Sequence, residues 1–555
     1  MVIRIFGGRI VDPANGRDEI GDLWIQEDRI IAPPEAGKSA DAPAQEFDAS
    51  GMVVLAGGID IHSHIAGTNV NTARLLLPEH AAGGTSPVPV GELIGRLYAA
   101  MGFSLVVEPA ISPHVALQAQ CELAGIPFID KAILSALGND DFCLRLVRAG
   151  EETALVDYIG RTLSATRGLG VKTINPGGAA AFREHATAFS LDDEVPRYGV
   201  SSRAIMKALQ RATKTLGVPH PLHLHCNNLG LPGNVETALA TIAAAEGERL
   251  HLAHLQFYAY GKEGPRQFSS AAARLAEAVN AAPNITADVG QVMFGQTVTI
   301  SLDTIRQFNA LGAAHPRKFA IIEAEGQGGG IVPYKYRRTN FYNVVQGAAG
   351  LELFLLIRDP WRVFFTTDHP NGAPFTAYPD LFALLMDRDL RAQWIAELPK
   401  DAMEMTTLPA ITREYDWPEI AVMTRAAPAR LLGLADRGHL GPGARADIAI
   451  YRPGPDKAAM FRNAALVFKD GVLIMRDGVP LRSHFGKALY AKTVFDPAIV
   501  RRLAAYYETS FGVSHEAFDV VPEALEALAL RSSPPARSGG ARETPNPFEE
   551  VPCLG

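Results

Sequence analysis

Two histidines one residue apart, His62 and His64, are the residues of this chain best suited to binding a metal ion. They end a largely apolar run at residues 54–64, which is typical of a buried strand. Because side chains on a strand alternate between its two faces, both imidazoles would point the same way and could hold one cation. A pair of hydrogen-bonded core histidines is the alternative that this stretch alone leaves open.

Other side chains that can bind metals lie in, or directly after, further apolar runs. They are Lys172, His223, His225, His251, His254 and Asp368. Each of them alone has an ordinary explanation: His223 and His251 would be core or supporting histidines, and Asp368 would cap a helix. Their recurrence at successive strand ends favours one shared site instead.

The elements that must position these residues alternate between short apolar strands and helical segments. Strands are predicted at residues 54–64, 104–108, 126–130, 171–175, 222–226, 250–254, 284–288 and 361–367, and helices at 91–102, 151–166, 201–216, 235–245 and 270–281. This order predicts an α/β fold, a (β/α)₈ barrel of the TIM type. The carboxyl ends of barrel strands meet at one rim, where catalytic groups collect, so residues far apart in sequence would converge.

Alternating apolar residues at 2–26 and again at 443–475 predict a small β-sandwich-like unit that flanks the barrel in sequence. Past the second β stretch the pattern turns helical, and a segment rich in Ser, Pro and Gly follows. The predicted division is 1–51 with 430–490 for the β domain, 52–429 for the barrel, 491–530 for a helical extension and 531–555 for a flexible tail.

Composition excludes several classes of protein. With 555 residues, 47% of them hydrophobic, the chain can bury a large core, and its net charge of -8 argues against an extended nucleic-acid surface. The four cysteines form no CxxC pair, which is typical of a reducing cytoplasm. We see no signal peptide and no apolar run of membrane-spanning length, so we expect a cytoplasmic protein without a membrane partner.

The metal-type residues also carry a resemblance. The motif His62-Ser-His64, the strand lysine, the later strand histidines and the motif Thr367-Asp368-His369 resemble the amidohydrolase superfamily, in its two-metal branch with dihydroorotases and hydantoinases. The return to β structure after residue 428 resembles that superfamily's β-sandwich. The resemblance covers residues 1–490 in order, and it implies the same barrel fold.

Three longer stretches are more specific. Residues 172–178, 223–236 and 254–258 resemble the A-type subunits of formylmethanofuran dehydrogenases and of the related formyltransferase/hydrolase complexes. This resemblance implies hydrolysis of N-formylmethanofuran, a formamide, to formate and a primary amine. It also implies a hetero-oligomer with B-, C- and D-type subunits as partners and a methanofuran-type compound as substrate.

The resemblance further implies two divalent metal ions, for which the His-rich ligand set favours zinc. It assigns His62 and His64 to one ion, and His225 and His254 to the other. These two are preferred over His223 and His251 because the superfamily's ligands stand at the very ends of the strands. Two residues would have further roles, Lys172 as a carboxylated lysine that bridges the ions with a water, and Asp368 as a ligand of the first ion and a base.

Two other functions stay open at this stage. One is a stand-alone hydrolase of cyclic amides, of the hydantoinase kind. The long connections at 68–90 and 291–360 favour a larger substrate than a compact ring. The other is a catalytically inactive scaffold that holds partner subunits, against which the full ligand set argues.

Overall fold

The computed structural model of the protein describes residues 2–34, 43–77, 86–318, 321–322 and 329–521. Eight parallel strands, each pairing with the next along the chain, form the barrel, and a short ninth strand of the same sheet, Ala488–Leu489, pairs with the third. The eight barrel strands are Gly58–Asp60, Phe103–Ile111, Asp130–Ala136, Gly170–Ile174, His223–His225, Leu250–Leu252, Ile285–Asp288 and Val363–Phe364. A parallel bridge between Ser63 and His369 joins the first strand end to the last, which closes the sheet into a barrel.

Helices follow the strands and pack their apolar faces on the barrel. The helices that begin before residue 300 are Thr68–Leu75, Gly91–Ala100, Ala116–Ala124, Asp141–Ala149, Glu152–Thr166, Gly178–Arg183, Ser202–Thr215, Val235–Ala244 and Ala272–Ala281. Those that follow are Thr304–Asn309, Phe341–Leu356, Tyr378–Met386, Arg388–Ala396, Lys400–Met403, Trp417–Ala421, Ala427–Leu432, Lys457–Arg462 and Ala498–Phe511. The helix Ser202–Thr215 illustrates how sequence sets a start, because the Ser201 hydroxyl accepts a hydrogen bond from the Ala204 amide at 3.2 Å.

A second sheet combines strands from both ends of the chain. Its nine strands are Val2–Asp12, Arg17–Gln26, Arg29–Ile31, Gln45–Asp48, Val53–Ala56, Ile448–Tyr451, Leu466–Lys469, Val472–Arg476 and Val479–Pro480. Alternate residues such as Ile5, Ile25 and Phe468 fill its own apolar core. The predicted fold class, a barrel with a separate β domain, is confirmed, while the residue bounds of the domains stay predictions.

The apolar run at residues 54–64 is two strands rather than one. Val53–Ala56 pairs with Ile448–Tyr451 in the second sheet, and only Gly58–Asp60 belongs to the barrel. The chain changes sheets at Gly57, where a Cβ atom would lie 2.2 Å from the Ser104 hydroxyl oxygen. A glycine is therefore required where the two sheets approach each other closely.

Two other barrel strands differ from their predicted bounds. The second continues past Pro109 to Ile111, because the strand pairing shifts register between Glu108 and Ile111, and a proline is tolerated at such an irregularity. The third begins at Asp130 instead of residue 126, since Phe128 has a φ of 70° that an extended strand does not allow.

The connection at 291–360 carries its own structure. Gly295–Ser301 and Gly330–Tyr336 form an antiparallel hairpin, with the helix Thr304–Asn309 between them. The long buried helix Phe341–Leu356 then returns the chain to the last barrel strand. The hairpin contributes Ser301 and Tyr336 to the wall of a cavity at the barrel rim.

After the second sheet the chain adds a helical segment, as predicted. The helix Ala498–Phe511 buries Ile499 and Leu503 against the barrel. Residues 522–530 of the predicted extension and the predicted tail at 531–555 lie outside the described residues. Among the helices of the described residues, none has the length and apolar character needed to cross a membrane.

Candidate metal centre

The six side chains predicted for the site line one cavity at the carboxyl ends of the barrel strands. They are His62, His64, Lys172, His225, His254 and Asp368. The cavity encloses roughly 1040 Å³, counting its open mouth. Five of the six are at most 5% exposed, so the site lies where water is largely excluded.

His62 and His64 approach the same carboxylate oxygen. Their Nε2 atoms lie 3.2 and 3.4 Å from Oδ1 of Asp368. Ligand atoms of a tetrahedral cation with bonds of about 2.0 Å stand about 3.3 Å apart. Each histidine nitrogen therefore lies at the distance from Asp368 Oδ1 that two ligands of one metal ion would have.

The opposite ring nitrogens of both histidines are held by buried carboxylates. His62 Nδ1 lies 3.0 Å from Asp288 Oδ2, and His64 Nδ1 lies 2.9 Å from Glu108 Oε1. A carboxylate on Nδ1 places the ring proton there and leaves Nε2 as the ligand atom. Both imidazoles are thus oriented for metal binding by partners outside the cavity's ligand set.

Asp288 also contacts His223 and His251, whose roles the sequence left open. Its Oδ2 atom lies 3.0 Å from His251 Nε2 and 3.4 Å from His223 Nε2. His251 Nδ1 contacts the Thr286 hydroxyl at 2.9 Å. Both histidines therefore lie against a carboxylate beneath the cavity, and their role as supporting histidines stays a prediction.

Lys172 has an unusual environment for a lysine. Its side chain is 1% exposed, and its Nζ atom has no hydrogen-bond partner within the described residues. Burial lowers the pKa of this ammonium to about 8. Glu108 forms no salt bridge with Lys172 in the described structure, because its carboxylate binds His64 and the amides of Ile65 and Ala66.

His225 and His254 form the other half of the cavity floor. Their ring centroids are 4.5 Å apart, and the rings are nearly perpendicular. The backbone of His254 has a φ of 32°, and its amide donates to Asp288 Oδ1 at 2.6 Å. Gly290 makes room for this conformation, since a Cβ atom there would lie 2.3 Å from the His254 Cβ.

Three residues that follow barrel strands near the site have a left-handed backbone conformation. Asn175, His254 and Asp368 all have a positive φ, of 41°, 32° and 52°. Such conformations cost on the order of 1–3 kcal/mol for a non-glycine residue, and they persist where the surroundings fix them. His254 and Asp368 line the cavity, and Asn175 donates from Nδ2 to Asp303 Oδ2 at 2.8 Å.

Besides Glu108 and Asp288, two further residues of the site were not predicted from the sequence. Asp303, at the start of the helix in the 291–360 connection, hydrogen-bonds His225 Nε2. Asn371 donates from Nδ2 to Asp368 Oδ1 at 3.0 Å, and its own Oδ1 accepts from the Ile300 amide at 2.6 Å. Asp303 has no sequence pattern that points to the barrel rim, whereas Asn371 follows shortly after Asp368 and so lies near a predicted strand end.

The charges of the site are set by burial and by close pairs. Burial alone would raise the pKa of Asp368, but the neighbouring His254 and His62 outweigh it and hold that pKa well below its usual range. Burial alone would lower the pKa of His64, but Glu108 and Asp368 raise it to about 9. Burial lowers the pKa of His225 and His254, so both remain neutral and able to bind a cation.

This donor set fits metal ions and offers little to a different cofactor. Four imidazoles, an ionised carboxylate and a buried amine without a hydrogen-bond partner among the described residues converge on one cavity. His62, His254 and Asp368 bring one ligand atom each within 4.8 Å of one another. Imidazole and carboxylate ligands suit divalent transition metals, zinc among them.

Fold and site together define a metal-dependent hydrolase of the barrel type, and the family comparison agrees. Residues 92–480 match the model of an amidohydrolase family, and this chain belongs to that family. The resemblance predicted from the sequence is thereby confirmed.

Two relatives show which members of the family this chain resembles. Over 544 residues the chain is 49% identical to the A-type component of the formyltransferase/hydrolase complex Fhc of Methylorubrum extorquens, covering 94% of this chain and 97% of that protein. It is 37% identical over 479 residues to protein FwdA of Methanocaldococcus jannaschii, covering 82% of this chain and 83% of that protein.

Solved structures show the same likeness. A chain in the crystal structure of the FhcABCD complex from M. extorquens with methylofuran superposes with a TM-score of 0.89 at 50% identity, covering 94% of this chain and 97% of that one. N-acyl-D-glutamate deacylase from Bordetella bronchiseptica superposes with a TM-score of 0.52 at 18% identity, covering 88% of this chain and 99% of that one. This likeness shows a shared fold alone.

Proposed function

We propose that this chain is the hydrolytic, A-type component of a formyltransferase/hydrolase complex. It would release formate from an N-formyl derivative of a methanofuran-type compound, such as the methylofuran named with the relative's complex. The observation that carries the proposal is identity of 49% over nearly the whole length of a component of such a complex, and the lining of one cavity by all six predicted ligands supports it.

The residues of the cavity divide between the two proposed ions. His62, His64 and Asp368 would hold one ion, and His225 and His254 the other, with zinc the metal that we propose. Two divalent cations in such a site lower the pKa of a water molecule and polarise a carbonyl oxygen. Asn371 fixes the orientation of the Asp368 carboxylate by its hydrogen bond at 3.0 Å.

Asp368 would also move the proton of the reaction. The low pKa of its carboxylate keeps it ionised at neutral pH, so it can accept a proton from the water that attacks the formyl carbon. As the C–N bond breaks, the same oxygen returns that proton to the departing amine nitrogen. The products are a primary amine and formic acid, and the acid ionises to formate by releasing its proton to water.

Lys172 would bridge the two ions as a carbamate. Because the pKa of the buried amine is about 8, an appreciable fraction is neutral near pH 7 and can add CO₂. The addition replaces a cation by an anion with two oxygens, which removes the repulsion that an ammonium would feel beside two cations. The unpartnered Nζ atom supports this proposal.

We further propose that the chain works with B-, C- and D-type subunits, as the relative in the FhcABCD complex does. The cytoplasmic location expected from the cysteine pattern stays a prediction.

The test uses the chain purified with its co-eluting subunits, with formate release as the assay. We expect turnover of an N-formyl methanofuran-type substrate and none of hydantoin or dihydroorotate. Hydrolysis of the cyclic amides alone would favour the stand-alone hydrolase, and no turnover of any substrate by a metal-loaded assembly would favour the scaffold.

A further inference from the structure

We propose that Asp303 is the positioning residue of His225, supplied to the metal centre by the 291–360 connection instead of the barrel. It would hold the proton of His225 on Nε2 and so make Nδ1 the nitrogen that binds metal. The inference rests on the proposed two-metal site.

The contacts of Asp303 support this role. Its side chain is fully buried, and its Oδ2 atom bonds His225 Nε2 and accepts from Asn175 Nδ2 at 2.8 Å. Its Oδ1 atom accepts from Arg306 Nε at 2.7 Å. Three partners from three parts of the chain therefore fix the carboxylate against the imidazole.

The chemistry follows from which nitrogen is occupied. An ionised carboxylate can only accept, so His225 must donate its ring proton from Nε2. The lone pair of a neutral imidazole then lies on Nδ1, the one remaining atom that can bind a cation. A hydrogen bond to a carboxylate also makes the imidazole a stronger ligand.

The barrel repeats the same arrangement for the first ion, with the nitrogens exchanged. His62 and His64 give Nδ1 to Asp288 and Glu108, and their Nε2 atoms face Asp368. The carboxylates of these two pairs lie on barrel strands. His225 instead obtains its carboxylate from a helix that follows a hairpin strand, so the connection completes the site.

A purely structural role for Asp303 must be separated from this one. Arg306 is fully buried and also bonds the Leu229 carbonyl, so Asp303 could serve only to neutralise a buried guanidinium. Loss of the carboxylate would then destabilise the fold by leaving that charge unpaired. Variants that remove each partner separately, and both together, distinguish the two roles.

The experiment measures metal content and affinity in the full chain, purified with its partner subunits. Samples are equilibrated at a series of buffered free Zn²⁺ concentrations and analysed by mass spectrometry for metal per chain. The variants are D303N, the double variant D303A/R306M, and R306M alone, which keeps the carboxylate on His225. N309A is the matched control, because Asn309 holds the same helix through the Phe182 and Ala186 carbonyls at 3.4 and 3.5 Å and does not touch His225.

We expect wild type, R306M and N309A to bind two ions with similar affinity. D303N and D303A/R306M should bind one ion normally and the second about 10- to 100-fold more weakly, the usual effect of removing such a partner. With Co²⁺ in place of Zn²⁺, the visible absorption that comes from the second bound ion should weaken in these variants. Melting curves by circular dichroism check that each variant is folded.

Three results would overturn the inference, and they show whether the proposed function fails with it. Two tightly bound ions in both D303N and D303A/R306M would contradict it and leave the proposed function intact, as would equal loss of metal from R306M. Fewer than two ions in the wild-type chain would contradict the proposed function and this inference with it.

Discussion

One oxygen of the Glu108 carboxylate lies 2.9 Å from His64 Nδ1, and the other accepts from the Ile65 amide at 2.6 Å. A single buried side chain therefore fixes both the ring of a proposed ligand and the backbone that follows it. Glu108 is 1% exposed, and its strand neighbours the one that precedes His64, so the barrel itself sets this geometry.

Glu108→Gln should weaken metal binding although it preserves size. The amide oxygen can accept from His64 Nδ1, but the amide NH₂ would then face the donating amides of Ile65 and Ala66. We expect the affinity for one ion to fall about 10- to 100-fold. Isothermal titration with Zn²⁺ measures it, and Glu122→Gln, whose carboxylate bonds the next amide at Gly67, is the control. Unchanged affinity in Glu108→Gln would be evidence against this orienting role.

Lys172→Ala should lose metal and activity together. The variant removes the nitrogen that would carry the bridging carbamate, so a small carboxylic acid such as acetate should restore both in part by occupying the vacated space. Lys131→Ala changes another buried lysine, which bonds the Ile126 carbonyl at 2.8 Å away from the cavity, and should keep its metal. Full metal content and turnover in Lys172→Ala would refute the bridge.

Asp368→Asn should reduce hydrolysis at least ~10²-fold, the usual scale of general acid–base catalysis. The amide can still receive the Asn371 contact, so the fold should persist, and metal should remain bound through the histidines. Single-turnover rates and metal content per chain are the measurements. A variant with near-wild-type rates would remove Asp368 from its proposed role as base.

Lys131 should make stability depend on pH in the alkaline range. Burial lowers the pKa of its ammonium from 10.5 to about 8, so the unfolded chain binds the proton more tightly than the folded one. The folded protein favours the neutral amine of Lys131. The stability that depends on this neutral form is therefore fully present above pH 10.5 and is lost as the pH falls toward 8. In Lys131→Met the free energy of unfolding should rise less steeply across this window, by up to ~1.4 kcal/mol per pH unit. Urea unfolding at several pH values checks this, and identical slopes in both proteins would contradict it.

The sequence was most informative where a pattern repeats. Apolar runs separated by helical segments predicted the barrel, because strands buried on both faces must be apolar. The same logic failed at residues 54–64, where one apolar run serves two sheets and only the glycine at position 57 marks the change. Composition does not show which sheet a buried residue joins.

The supporting residues of the site depended on tertiary contacts that no local pattern encodes. Asp303 and Arg306 are spaced as an ion pair on a helix, yet that spacing is common on solvated surfaces. Only the folded hairpin shows that the pair is buried against His225. Asn371 is similar, since its contacts join Asp368 to the hairpin strand that contains Ile300.

The measurement that tests the central claim most directly is a single turnover of the N-formyl methanofuran-type substrate in water enriched in the heavy oxygen isotope. The purified wild-type assembly should release formate that carries one oxygen from the solvent, together with the free amine, and Asp368→Asn should release almost none in the same time. Formate without the label, or equal labelled formate from both proteins, would contradict hydrolysis at this site.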